Sequence, residues 1–353
     1  HWFLSADDPA GTFKVIEPRR HAVEYSVVDH DDKFLIRHND GAINFTLVEA
    51  PIASPGRANW KTVIPHSDDS YLTGVTAFKD FLVIQAREGG LGTIRIRKFS
   101  DGTDHIVKFP ETAYSVFPRS NAEYDTSTLR LSYASFITPI SVFDYDMNTR
   151  SLTLLKETPV LGYDRTKYTS TRFFAKAPDG AEVPVTVVHR KDLKLDGSNP
   201  TLLYSYGSYG INTEVSFSSA TLSLLDRGMV YAIAQIRGGS DKGRKWYEDG
   251  RMMNKKNTFT DFITAAETLI AKGYTKPENL AIRGGSAGGL LMGAVVNVRP
   301  DLFKAVIADV PFVDVINTML DKDLPLTVAE YEQWGNPNEK PAFDYMITYS
   351  PYD

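Results

Sequence analysis

Residues 280–297 read Leu-Ala-Ile-Arg-Gly-Gly-Ser-Ala-Gly-Gly-Leu-Leu-Met-Gly-Ala-Val-Val-Asn. The apolar segment Leu280–Ile282 predicts a buried strand, and 290–297 predicts a helix. Between them, Gly284–Gly288 matches the pattern Gly-x-Ser-x-Gly, in which a sharp strand-to-helix turn presents a serine. An ordinary glycine-rich turn can match the same pattern, so the interpretation depends on the strand before it and the helix after it.

The residue types around Ser286 suit a nucleophile. Side chains at Gly284 and Gly288 would clash with the backbone that such a turn brings close. The helix after Ser286 supplies a positive dipole and free N–H groups at its N-terminus. The N–H of Ala287 would then face an oxyanion that develops beside the serine. The sequence therefore predicts Ser286 as nucleophile and the Ala287 backbone N–H as an oxyanion donor.

The surrounding sequence alternates strands with helices. Apolar runs at 202–206, 229–236 and 304–308 predict strands of a mostly parallel sheet. A helix is predicted between Thr258 and Ile270, with Thr258 and Asp261 as a variant capping box. This alternation indicates a doubly wound α/β domain.

The first 155 residues or so predict only strands, and they repeat. The strand segments around Leu35, Leu82 and Leu129 look alike and are spaced 47 residues apart. A repeat of about 40 to 50 residues with several strands in each is typical of β-propeller blades. A β-sandwich with accidental spacing is the alternative. Since three blades cannot close a ring, we expect further blades before residue 1.

Composition excludes several classes of function. The chain has 353 residues, 42% of them hydrophobic and 24% charged, with a net charge of −5. No basic block indicates nucleic-acid binding, and no apolar run is long enough to suggest a membrane span. With no cysteine there is neither a disulfide nor a thiolate metal site. We expect a cytoplasmic protein without metal or cofactor.

Several motifs together resemble the prolyl oligopeptidase family, and within it the oligopeptidase B branch. They are Leu203–Gly207, Ile236–Gly239, Asn257–Asp261, Gly284–Leu290, Val310–Val315 and Ala329–Pro337. The resemblance implies a seven-bladed β-propeller, represented by about three blades in residues 1–157, and an α/β-hydrolase domain in 158–353. It also implies a serine endopeptidase that cleaves short peptides after Arg or Lys through an acyl-enzyme, without a cofactor.

The resemblance also implies roles for four further residues. Tyr206 matches the second oxyanion donor, whereas Tyr204 and Tyr209 are expected to be structural. Glu330 and Glu332 match two acids that together bind the basic P1 side chain, instead of forming a solvated surface pair. Glu214 matches one of two acids of the P2 pocket. The second falls at Ser216, which leaves a basic P2 preference open.

No histidine of this chain matches the family's catalytic histidine, which should activate Ser286. The seven histidines end at His189, although α/β-hydrolases place their histidine after the serine. We expect His189 to be a strand-end surface residue and Arg237 to be structural. We assign no catalytic role to the acids Asp309, Asp314 and Asp353. The triad Asp and His are thus expected outside this chain, which alone should be inactive.

Two other functions stay open at this point. One is an esterase or acylaminoacyl peptidase on the same fold, which two pocket carboxylates disfavour because burying acids in such a pocket is costly. The other is a propeller-based binding protein with an inert hydrolase relic, which an intact turn at Ser286 and Tyr206 disfavour. The partners expected are short basic peptides, not nucleic acid or membrane. The oligomeric state is unknown.

Overall fold

Strands in the first half pair with their neighbours in the chain. In the computed structural model, which describes residues 1–353, three four-stranded antiparallel sheets follow one short two-stranded sheet. The strands are β1 (Trp2–Phe3), β2 (Lys14–Val15), β3 (Tyr25–His30), β4 (Lys33–His38), β5 (Thr46–Pro51), β6 (Lys61–Ile64), β7 (Ser70–Ala77), β8 (Phe81–Glu88), β9 (Leu91–Lys98), β10 (Asp104–Ile106), β11 (Ser115–Pro118), β12 (Thr128–Ala134), β13 (Ser141–Asp146) and β14 (Ser151–Glu157). The four-stranded sheets are β3–β6, β7–β10 and β11–β14.

The leucine repeat marks equivalent positions in these sheets. Leu35, Leu82 and Leu129 are buried in the second strand of each sheet. Leu35 and Leu82 share one apolar cluster, and residues of the second sheet share another with Leu129. Each sheet therefore packs on the next one in the chain, as propeller blades do. The prediction of β-propeller blades is confirmed.

The second half forms one six-stranded mixed sheet with helices around it. Its elements are β15 (Tyr168–Lys176), β16 (Glu182–Arg190), β17 (Thr201–Tyr204), α1 (Ser219–Asp226), β18 (Val230–Ala234), α2 (Arg244–Glu248), α3 (Lys256–Ala271), β19 (Leu280–Gly285), α4 (Ala287–Val298), β20 (Ala305–Asp309), α5 (Val315–Leu320), α6 (Tyr331–Trp334) and α7 (Lys340–Met346). Single 3₁₀ turns lie at Arg57–Asn59, Arg165–Lys167, Met252–Asn254, Pro277–Asn279 and Val328–Glu330. None of the helices combines the length and hydrophobicity needed to cross a bilayer.

The strand order is β15-β16-β18-β17-β19-β20, and the last four strands are parallel. Alternate residues of β18 serve two cores. Ala232 joins the main cluster with α3 and α4, whereas Ile233 joins a smaller cluster with Leu225 of α1. Helices thus cover both faces, which confirms the predicted α/β architecture. The carboxyl ends of β17 and β19 meet at one edge of the sheet, where ligand sites of such folds form.

The strand β20 lies at the edge of this sheet. It pairs with β19 on one side only. Its side chains Val306 and Ile307 are 41% and 43% exposed. The sheet therefore ends in an apolar strand that has one free hydrogen-bonding edge.

Two local predictions were wrong, because long-range contacts override local patterns. Thr258 and Asp261 do not cap α3, which begins at Lys256. The Asp261 carboxylate instead accepts hydrogen bonds from the backbone and guanidinium of the buried Arg237, at 2.6 to 2.9 Å. His189 is not on the surface: it lies within β16, 6% exposed, with its ring edge-on to Tyr274.

Candidate active site

Ser286 forms a one-residue turn between β19 and α4. Its φ and ψ are 55° and −117°. Residues other than glycine adopt this backbone conformation only at a cost in strain. The side chain is exposed, and it makes no capping hydrogen bond to α4. The predicted sharp turn is therefore present, and its hydroxyl is free for chemistry.

The glycines around Ser286 allow this turn. A Cβ at Gly284 would overlap the carbonyl oxygen of Gly288, and a Cβ at Gly289 would lie 2.5 Å from the Cα of Pro311. Ala287 is the first residue of α4, so its N–H has no carbonyl partner within the helix. Ser286 and the Ala287 N–H thus occupy the positions that the sequence predicts.

Tyr206 follows the end of β17 and lies beside Ser286. Burial raises the pKa of its phenol, and the neighbouring Ser286 hydroxyl opposes this shift. With a pKa above its ordinary value of about 10, the hydroxyl stays protonated at neutral pH and can donate. Tyr204, in contrast, lies within β17 and packs on the small core under α1.

Glu330 is held by two neutral donors near Tyr206. Its Oε2 accepts hydrogen bonds from the Tyr209 hydroxyl and the Trp334 indole N–H, both at 2.7 Å. The rings of Tyr206 and Tyr209 lie 6.3 Å apart between centroids. After burial and the smaller effect of Tyr204, the negative charge of Glu330 contributes least to the raised pKa of Tyr206. Glu330 therefore belongs to the surroundings of Ser286.

Glu332 lies elsewhere. It is exposed, and it lines a cavity of about 1050 Å³ between the propeller and the α/β half, whose lining does not include Glu330. Its backbone carbonyl accepts a hydrogen bond from Arg251 at 2.7 Å. Residues two apart on a helical turn point to different sides. Glu330 and Glu332 thus have different surroundings, and the paired role in P1 binding stays a prediction.

The carboxylate of Glu214 forms an ion pair with a propeller residue. Arg87, at the end of β8, donates to its Oε1 at 2.5 Å. The same guanidinium lies 3.6 Å from Asp241 and donates to the Gly90 carbonyl at 3.1 Å. The carboxylate that resembles a P2-pocket acid is therefore neutralised within the protein, in an ion pair that joins the two halves.

Asp241 is the buried centre of this junction, with 1% exposure. Its Oδ1 accepts hydrogen bonds from the Thr213 N–H at 3.0 Å and the Gln235 amide at 3.2 Å. Burial raises the pKa of Asp241 to about 7, although Arg87 favours the charged form. The junction of the two halves therefore contains a carboxyl group that titrates near neutral pH.

Asp241→Asn should flatten the pH dependence of stability. The pKa in the folded chain exceeds that in the unfolded chain, so the stability from protonated Asp241 is complete below about pH 4. That stability is lost as the pH rises through about 7. The free energy of unfolding should fall by at most about 1.4 kcal/mol per pH unit in the parent, whereas asparagine cannot ionise.

Urea unfolding midpoints between pH 4.5 and 8 measure this slope, with the exposed Asp344→Asn as control. Parallel curves for parent and Asp241→Asn would contradict the prediction.

No histidine or carboxylate hydrogen-bonds the Ser286 hydroxyl. Asp309 pairs with Arg283 at 2.8 Å, Asp314 caps α5, and Asp353 accepts from Ser350. The nearest link is through the backbone, where the Ser286 N–H donates to the Asp309 carbonyl at 2.9 Å. The acids that the sequence left unassigned thus have other partners.

Sequence reasoning missed three residues around the site. Tyr209, expected to be structural only, holds Glu330. Arg87 binds Glu214 from the propeller, and Lys255 donates to the Gly207 carbonyl within the α/β half; no motif marks either residue. The positive φ of Tyr209, 58°, is unusual for a non-glycine residue, but it is visible only in the structure.

Two family models match separate parts of the chain. The family model "Prolyl oligopeptidase, N-terminal beta-propeller domain" matches residues 1–158, and the model "Prolyl oligopeptidase family" matches residues 215–353.

Relatives match almost the whole chain. The dipeptidyl aminopeptidase BI of Pseudoxanthomonas mexicana is 48% identical over 345 residues, which are 97% of this chain and 48% of that protein. Protease 2 of Moraxella lacunata is 41% identical over 351 residues, 99% of this chain and 50% of that protein. The structure of oligopeptidase B from Leishmania major superposes with a TM-score of 0.89 at 42% identity, covering 96% of this chain and 49% of that one. The chain thus spans about half the length of these relatives.

Proposed function

Because the chain belongs to the prolyl oligopeptidase family, we propose that its protein is a serine peptidase that forms an acyl-enzyme on Ser286. The observation that carries the proposal is the strained turn at Ser286, with a tyrosine hydroxyl on one side and a free helix N-terminus on the other. We propose further that residues 1–157 are propeller blades that restrict entry to short peptides, and that 158–353 belong to the catalytic domain.

The residues of this chain supply the following chemistry. The Ser286 Oγ attacks the peptide carbonyl carbon while its proton passes to a general base. The carbonyl oxygen becomes an oxyanion, which accepts hydrogen bonds from the Ala287 N–H and the Tyr206 hydroxyl. The C–N bond breaks, the amine leaves with a proton, and water then hydrolyses the Ser286 ester. Ser286 and both donors would thus act on the same carbonyl group.

We propose that Glu330 binds a basic P1 side chain by itself. Two neutral donors engage its Oε2, and its Oε1 has no hydrogen-bond partner within the protein. A charge-assisted hydrogen bond from an Arg or Lys substrate to Oε1 would be one of the stronger single contacts available. Glu332 is left out of this proposal, because it is exposed and no residue of the site holds its carboxylate.

Glu330→Gln should lower kcat/KM for substrates with Arg or Lys at P1 by roughly ten- to a hundredfold, because a hydrogen bond to a charged group is lost. Substrates with a neutral P1 residue should change little. The matched control is Glu332→Gln, two residues away and exposed, which should stay close to the parent enzyme. Steady-state kinetics of a form of the protein that includes a general base measures both. If Glu330→Gln and the parent have equal kcat/KM on substrates with Arg or Lys at P1, Glu330 does not bind the P1 side chain.

A second candidate is the release of dipeptides from free N-termini. It is favoured by the relative that is named a dipeptidyl aminopeptidase and is 48% identical. Product analysis separates the two activities. An endopeptidase cleaves peptides whose N-terminus is blocked, whereas a dipeptidyl aminopeptidase leaves them intact and releases dipeptides from the unblocked forms.

A further inference from the structure

Lys255 carries a buried amine that the proposed chemistry does not use. It directly precedes α3, and it is 2% exposed. Its Nζ donates hydrogen bonds to the Gly207 carbonyl at 2.7 Å, the Ser208 hydroxyl at 2.9 Å and the Gly250 carbonyl at 3.3 Å. Three acceptors thus match the three protons of the ammonium group.

No carboxylate forms an ion pair with Lys255. Arg237, the other buried cation of this region, has two carboxylate partners, Asp261 and Asp179. Removing a charged group from water without a counter-ion is unfavourable, and burial lowers the pKa of Lys255 to about 7. An apolar side chain of similar length would avoid this cost, but it would leave the acceptors of Lys255 without their donor. Hydrogen bonds to the segment 207–208, and not an ion pair, therefore account for the position of the amine.

The acceptors of Lys255 lie between two residues of the candidate site. Gly207 and Ser208 connect Tyr206, beside Ser286, with Tyr209, which donates to Glu330. The backbone at Gly207 has a φ of +70° and lies against Ile236, so a Cβ there would come within 2.7 Å of the Ile236 side chain. The segment between the two tyrosines is thus tightly packed, and Lys255 is its polar anchor.

Lys255 also contacts Trp334, which donates a hydrogen bond to Glu330. Its Nζ lies 5.1 Å from the ring centroid of Trp334, within the range of a cation–π contact. The indole N–H of Trp334 is one of the two donors to Glu330. One ammonium group therefore contacts the segment that carries both tyrosines and the residue that orients the carboxylate.

We propose that Lys255 is a positioning residue, which fixes the segment 206–209 so that the Tyr206 hydroxyl stays at Ser286 and the Tyr209 hydroxyl at Glu330. The effect on catalysis rests on the proposed function, whereas the effect on the segment does not. Loss of the anchor should disturb both the oxyanion donor and the P1 carboxylate, although Lys255 touches neither substrate nor Ser286.

Lys255→Met tests the proposal, with Lys256→Met as the matched control. Lys256 is the next residue, and its side chain is exposed at the start of α3. Hydrogen exchange of the 353-residue chain, followed by mass spectrometry, should show about tenfold faster exchange in peptides covering 206–209 for Lys255→Met. Exchange elsewhere, and everywhere in Lys256→Met, should match the parent. Unchanged exchange at 206–209, or an equal increase throughout the chain, would overturn the proposal.

Ser208→Ala is the second variant, since it removes one acceptor and leaves the lysine in place. It should give a smaller increase in exchange at the same segment, which keeps the test valid if Lys255→Met does not fold. Unchanged exchange at 206–209 in a folded Ser208→Ala would count against the proposal.

In an active form of the protein, Lys255→Met should lower kcat by about tenfold or more, because small misplacements of catalytic groups are costly. It should also reduce the preference for basic over neutral P1 residues. A rise in KM alone, with kcat and the P1 preference intact, would overturn the proposal. If the parent has no peptidase activity, the proposed function fails, and the exchange experiment still decides whether Lys255 anchors the segment.

Discussion

Replacing Ser286 by alanine should abolish peptidase turnover, with a loss in kcat of roughly 10⁶-fold in a form of the protein that includes a general base. The reason is that, in the proposed mechanism, the Ser286 Oγ forms the acyl-enzyme bond. A fluorophosphonate probe should label the parent once, at Ser286, and should not label Ser286→Ala. The control is Ser223→Ala, an exposed serine on α1, which should keep full turnover and labelling.

The 353-residue chain by itself should show no measurable turnover. Its Ser286 hydroxyl contacts no histidine, and an unactivated serine is a weak nucleophile at neutral pH. Oxyanion donors and substrate binding alone accelerate hydrolysis by only roughly 10³- to 10⁴-fold over the reaction in water. Turnover by this chain that disappears in Ser286→Ala would reveal a general base within it. Absence of labelling in the form that includes a general base would instead favour a binding protein that has lost catalysis.

Tyr206→Phe should lower kcat by roughly 10² to 10³, the usual effect of removing one oxyanion donor. The phenol hydroxyl would contact the oxyanion only once charge has developed, so KM should change little. Because burial raises the pKa of Tyr206, the parent should keep this donor across neutral and mildly alkaline pH. Steady-state kinetics with one Arg peptide at several pH values measures both effects.

Tyr209→Phe is the informative comparison for this prediction. Tyr209 donates to Glu330 and not to Ser286, so its loss should mainly weaken the selection of basic P1 residues. The two tyrosines should therefore separate an effect on kcat from an effect on specificity. If Tyr209→Phe lost kcat and Tyr206→Phe did not, the oxyanion donor would be assigned to the wrong tyrosine.

Features that depend on neighbouring residues could be predicted from the sequence. The turn at Ser286 follows from glycines within a few positions, and the blades follow from a periodic leucine in the buried second strand. Both patterns arise from local sterics and alternating burial. The first signal lies within a short window of sequence, and the second is a repeat with a fixed spacing of 47 residues.

Features that depend on distant partners could not be predicted in this way. Asp261 fits a capping box locally, but the buried guanidinium of Arg237 takes its carboxylate. Glu214 matches a substrate-binding position, yet Arg87, 127 residues earlier, neutralises it. In both cases a buried charge requires a partner, and the fold determines which one is near.

The exposed edge of β20 has a practical consequence for work on this chain. A strand with an unpaired backbone edge and apolar side chains is a template for strands of other molecules. Concentrated solutions of the 353-residue chain should therefore be prone to aggregation that starts at the Ala305–Asp309 strand, where Val306 and Ile307 are exposed. A lysine at one of these two positions would introduce the charge that natural edge strands use to prevent it.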